Sequence, residues 1–93
     1  MEIHWTSKTR AHIQKHQAEA PEICPEFVER ILREAHPTKL YSDKEHSWRY
    51  VFEGYFPPDR GRPYRVIVEF DEEGGVWPVA AFRIRDREYR KER

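Results

Sequence analysis

A single cysteine, Cys24, is all the thiol chemistry in this sequence, so an internal disulfide and a cysteine-based zinc site are both excluded. The fold must hold by packing. No apolar stretch approaches the roughly 20 residues a membrane span needs, and the opening Met1-Glu2-Ile3-His4-Trp5 has no apolar signal region. A cytoplasmic protein without a membrane partner is therefore expected. Net charge is missing too: 17 Lys and Arg balance 17 Asp and Glu, so charge alone demands no nucleic acid. Asn is absent altogether, and no Glu completes an HExxH metal motif. At 93 residues and 11.4 kDa the chain has no room for a separate cofactor module. The expectation is one domain, 1–93, with one site or none, no metal and no cofactor.

What is present is distributed unevenly. Hydrophobic residues make up 38% and charged residues 37%, so the core must be small, and the 14% of aromatics help because each ring buries a large area. Twelve of the basic residues are Arg and five are Lys. A high-GC or warm-living source accounts for such a bias, and so does a need to grip phosphate through the planar guanidinium fork. Positions 71–76 hold Asp71, Glu72 and Glu73 without a base, whereas 77–93 hold six bases against three acids. The last segment is a local basic patch on a neutral chain.

Ile3 and Trp5 suit a short first strand, and Thr6 or Ser7 can cap a helix running to about Ala18. Cys24-Pro25 opens a second helix, with Phe27, Val28, Ile31, Leu32 and Ala35 at helical spacing and Pro37 as the stop. From Trp48 the period becomes two. Trp48, Tyr50 and Phe52 share one face of a half-buried strand, and Arg49, Val51 and Glu53 the other. A turn-rich loop, 57–63, leads to the strand Tyr64–Phe70. Asp71–Gly75 is a hairpin turn into a strand from Val76 to Ile84, in which Pro78 marks a bulge or the strand start. A further strand is expected at the N-terminus or near Lys39–Tyr41. Asp86 either caps a short helix, Arg87–Glu92, or precedes an unstructured charged tail. The sum is an α+β domain: two N-terminal helices packed on an antiparallel sheet of three to four strands, with a possible short C-terminal helix.

His12 and His16, one helical turn apart, are candidates for metal ligands, for general acid–base work or for phosphate binding; equally they are two solvated residues on a polar face. A metal needs a third and usually a fourth ligand, and no Glu completes an HExxH motif with these two. The arginines are the stronger lead. Arg49 lies mid-strand, Arg60 and Arg62 on the loop, Arg65 at the start of the next strand, and Arg83 and Arg85 at the end of the last. In the meander Arg65 approaches Arg83, and arginines gathered at one end of a sheet would hold a phosphodiester and its transition state. The competing explanation is a solvent face pairing them with Glu53, Glu69 and Asp86. Of the aromatics, Tyr55 and Tyr64 flank the loop and are candidates for stacking on bases, while core packing suits the others. Cys24 has no clear partner for a nucleophilic role.

Trp5-Thr6-Ser7-Lys8-Thr9-Arg10-Ala11-His12-Ile13, the helix before Pro37, Arg49-Tyr50, Val66-Ile67-Val68 and Val79-Ala80-Ala81-Phe82-Arg83 resemble, in type and order, the small ribonuclease toxins of the RelE-like assemblage, with its BrnT-type and phage-borne relatives. The resemblance spans nearly the whole chain in element order, through short motifs. It implies a metal-independent endoribonuclease toxin of a toxin–antitoxin or mobile-element system, cutting RNA by 2′-hydroxyl transesterification, with a cognate antitoxin as partner. It implies His12 as general base or acid and Arg49 and Arg83 as phosphorane-stabilising groups. Arg62, Tyr64, Arg65 and Arg85 would then hold substrate. The tail from Asp86 to Arg93 is similar to the Arg-rich tail of BrnT-type toxins. Ala80 stands where phage-borne relatives often carry a hydroxyl, and the overall charge is neutral where the toxins are basic. A non-catalytic module, binding a protein or nucleic acid through the sheet and the basic C-terminal segment, is the alternative.

Overall fold

Short-range signals alone start both helices. In the computed structural model, which describes residues 2–15, 20–35, 40–42, 48–57 and 59–87, Thr6 caps α1 (Ser7–Gln14). Its hydroxyl accepts from the Thr9 amide while Thr9 Oγ1 accepts from the Thr6 amide, each at 3.1 Å. This reciprocal box satisfies two of the donors that every helix start leaves open. Ile13 alone is buried from α1, and regular helix ends at Gln14 with Lys15 as C-cap, short of the expected Ala18. So short a helix with one buried side chain gains little from propagation and depends on its cap. His16 and the rest of 16–19 lie outside the described residues. α2 (Pro25–Glu34) starts at its proline as expected and buries Phe27, Val28, Ile31 and Leu32, the stripe that the 3.6-residue period requires.

Among the described residues four strands follow: β1 (Leu40–Ser42), β2 (Arg49–Phe56), β3 (Asp59–Phe70) and β4 (Val76–Arg83). They form one sheet in the order β1-β2-β3-β4, with every neighbouring pair antiparallel. Two helices on an antiparallel sheet make the α+β architecture. The extra strand falls at 40–42, and the N-terminal segment adds a parallel bridge, Ile3 to Val76, on the outer edge of β4. The expected helix over 87–92 lies almost wholly outside the described residues.

Two prolines show how the sheet absorbs local conflict. The turn-rich 57–63 is mostly strand: β3 already begins at Asp59, and the register jumps from Gly54↔Tyr64 to Phe56↔Asp59. This irregularity leaves residues 60–63 outside the regular ladder with β2, so Pro63 costs no hydrogen bond there, and its carbonyl accepts from the Ile84 amide at 2.9 Å. Pro78 sits beside a second irregularity, where Ile67↔Ala80 gives way to Val68↔Pro78, on the edge strand that tolerates it.

One cluster joins the elements. Ile13 and Ile23 pack with Phe27, Val28, Ile31 and Leu32 against Phe52, Phe56, Tyr64, Val66, Val68, Val76 and Ala81. β2 is not half-buried as its alternation suggested: Val51 and Glu53, on the face opposite Phe52, are buried as well.

The hairpin between β3 and β4 is organised by one carboxylate. Asp71 Oδ1 accepts from the amides of Glu73 (2.9 Å) and Gly75 (2.7 Å), and Oδ2 accepts from Trp77 Nε1 (2.9 Å). Gly74 holds φ at +85°, where a side chain is strained. The Trp77 and Gly75 donors, with His4 nearby, keep the Asp71 carboxyl below its ordinary value. A depressed folded-state value contributes stability that is complete above about 3.8, the ordinary aspartate value, and is lost as pH falls through the folded one. Urea midpoints of the wild type and Asp71→Ala are therefore expected to differ at neutral pH and to converge as the pH drops below that of ordinary aspartate titration. A gap independent of pH would contradict this account of the hairpin.

Candidate functional site

α1 brings its polar face to the starting end of β4. Lys8, His12 and Lys15 recur at i, i+4 and i+7, so they line one side of the helix. Facing them is a row of register partners across three strands, Arg49↔Glu69↔Trp77. Helix and sheet together enclose an open cavity of about 550 Å³, completed by Thr6, Thr9, Ala11, Pro78 and Val79. Glu69 Oε1 accepts from Arg49 Nε at 2.9 Å and from Trp48 Nε1 at 3.2 Å, so one carboxylate oxygen fixes both side chains at the rim. Lys8, Lys15 and Arg49 against Glu69 leave the lining with two positive charges in excess on a chain whose total is zero. An imidazole beside clustered cations can move a proton and stabilise an anion at one place.

The site residues expected from sequence divide into three groups. His12 and Arg49 come together in this cavity. Arg83 does not join them: it is the register partner of Tyr64, five residues along β3 from Glu69, about 17 Å at strand rise. The reason is topological. In an antiparallel meander the start of β2 lies beside the end of β3 and the start of β4, whereas Arg83 ends β4. Arg83 instead shares the far end of the sheet with Arg62, whose Nε donates to the Ile84 carbonyl at 3.4 Å, and with exposed Arg85.

The remaining two belong to the fold. Arg65 pairs with Phe82 in register and directs its Nε to the Glu53 carboxylate, so it does not face Arg83 and its Nε is engaged within the sheet. Tyr64 is 1% exposed, packs edge-on against Phe27 (4.9 Å, 73°) and donates its hydroxyl to Glu22 at 2.5 Å. No ring face is left there for a base. The pairing of arginines with Glu53 and Glu69 that the sequence offered as the competing explanation holds for both Arg65 and Arg49. Tyr55, 37% exposed, borders a separate hollow of about 340 Å³ with Arg30 and Arg60.

Sequence reasoning missed Lys8, Lys15, Glu69 and Trp77. The Lys8-His12-Lys15 spacing was a readable signal. Trp77 had none, because its place depends on the β3–β4 register. Among the described residues no three His, Cys, Asp or Glu side chains gather as a metal-holding group, and no helix is long and apolar enough to cross a membrane.

Fold and cavity define a small α+β protein with a cationic, histidine-bearing cleft at a sheet end. No family model, curated protein or solved structure matches the chain.

Proposed function

We propose that the protein is a metal-independent endoribonuclease of the toxin type, with the cleft between α1 and β4 as its active site. The observation that supports this reading is the convergence of His12 and Arg49 with two lysines in one open cavity. His12 would take the proton of an RNA 2′-hydroxyl as that oxygen attacks the neighbouring phosphorus. The bond from phosphorus to the 5′-oxygen then breaks, and the departing oxygen takes a proton from water or an adjacent ammonium group. Arg49, Lys8 and Lys15 would offset the charge that accumulates on the phosphorane. The products are a 2′,3′-cyclic phosphate and a 5′-hydroxyl. Arg62, Arg83 and Arg85, at the other end of the sheet, suit contacts to the phosphodiester backbone beyond the cut. An antitoxin that covered the cleft would silence the enzyme in a cytoplasmic toxin–antitoxin pair.

The test is incubation of the purified protein with end-labelled RNA and total RNA in EDTA, with analysis of the product ends. Cyclic phosphate termini are expected. Absence of cleavage, also with ribosomes added, would favour the binding-module reading, for which the Arg62–Arg83–Arg85 patch is the specific support.

A further inference from the structure

We infer that the cleft receives an unpaired nucleobase next to the reacting phosphate, with Trp77 as the residue that positions it by stacking, so that the substrate class is single-stranded RNA. This rests on the proposal that the cleft binds RNA. Trp77 is a half-buried ring held through both its face and its edge. His4 stacks on it at 4.6 Å with the planes 21° apart, and Asp71 Oδ2 accepts its Nε1–H at 2.9 Å. The preceding residue is tied to the N-terminal segment through both its amide and its carbonyl: Val76 N donates to the Glu2 carbonyl and His4 N to the Val76 carbonyl, each at 2.8 Å. Gly75 lets this assembly close, because a Cβ there would stand 2.5 Å from Asp71 Oδ2 and 2.9 Å from His4 Cδ2.

The consequence is an indole that cannot offer a ligand its hydrogen. Its donor is spent on Asp71, one face is covered by His4, and the ring borders the His12 cavity. Such a ring recognises π-surface and not a hydrogen-bonding edge, which is the sequence-tolerant chemistry of single-strand binding. Trp48 repeats the pattern beside the cleft: it is 54% exposed and its Nε1–H is spent on Glu69. Trp5 also spends its Nε1–H on a carboxylate, Glu29 on α2, but differs from both in packing against the core. Arg49 and Trp77 stand two strand spacings apart, about 10 Å, which one nucleotide bridges from phosphate to base. In a duplex the base faces are covered by their neighbours and cannot reach the ring.

Binding of an uncleavable 2′-O-methyl RNA carrying one 2-aminopurine tests this apart from catalysis. We expect the wild type to bind the single strand at least tenfold more tightly than the same sequence in a duplex and to quench the 2-aminopurine emission. Trp77→Ala should bind the single strand about five- to a hundredfold more weakly, without quenching. Trp77→Phe, which keeps a π-face, should retain most of both. Circular dichroism checks that each variant is folded; should Trp77→Ala unfold, Trp77→Leu against Trp77→Phe decides. Equal binding of duplex and single strand, or unchanged quenching in the folded aliphatic variant, overturns the inference even where RNA is cleaved as proposed. A wild type that neither binds nor cleaves RNA overturns the functional proposal and this inference together.

Discussion

Arg65→Met is expected to destabilise the protein by about 3–5 kcal/mol, a large part of the roughly 5–14 kcal/mol that a domain of this length has. Glu53 is 0% exposed and its register partner across β2 and β3 is Arg65, whose side chain is 18% exposed. A buried carboxylate whose guanidinium is removed keeps its desolvation cost and loses the attraction that offset it. The pair as a whole is a different matter. Glu53→Leu combined with Arg65→Met replaces both charges by apolar groups, and the double variant should recover most of the loss. Urea unfolding followed by circular dichroism gives both numbers. A single-variant loss below about 1 kcal/mol would mean that the pair behaves as an exposed one and that Glu53 is not shielded as described.

His12→Ala is expected to lower RNA cleavage by about 10²–10⁴-fold while leaving the unfolding midpoint nearly unchanged, because His12 is exposed on α1 and contributes nothing to the core. Arg49→Ala should cost about 10²–10³-fold in kcat through lost charge stabilisation. Arg49→Lys should recover only part, since a point charge does not reproduce the guanidinium that Glu69 holds through Nε. Arg83→Ala, about 17 Å along the sheet, should raise KM and leave kcat within tenfold. Steady-state kinetics on one single-stranded RNA separate these cases. If Arg83→Ala removed kcat as His12→Ala does, the active site would not be the α1–β4 cleft.

Much of the fold was legible because it is written in local chemistry. Thr6 and Pro25 start their helices for reasons contained in a few residues, and the stripe Phe27, Val28, Ile31, Leu32 needs only the helical period. The alternation in β2 gave its position but not its burial. Whether a second face is covered depends on what lies against it, and Glu53 reads from sequence as a solvent residue. The turn chemistry of 57–63 was outweighed by pairing, since β3 already begins at Asp59 and Pro63 fits where the ladder is irregular.

The site was legible in part. Histidine and arginine as types pointed to phosphate chemistry, and the helical spacing of Lys8 and His12 was available. Their partners were not. Glu69 and Trp77 join Arg49 only because the register sets 49, 69 and 77 in one row, and Arg83 leaves the set for the same reason.

By itself the sequence determined the two helices, the positions of the main strands, the β3–β4 turn and the apolar stripe that forms the core, because propensity, capping and periodicity act over a few residues. Tertiary structure alone decided which charges meet. Strand register and the placement of α1 along β4 put His12 and Arg49 on one cavity, buried Glu53 against Arg65, locked Trp77 between His4 and Asp71, and sent Arg83 to the opposite end of the sheet. Contacts between residues tens of positions apart depend on how faces and ends are matched, and a one-residue change of register would move every such side chain to the other face.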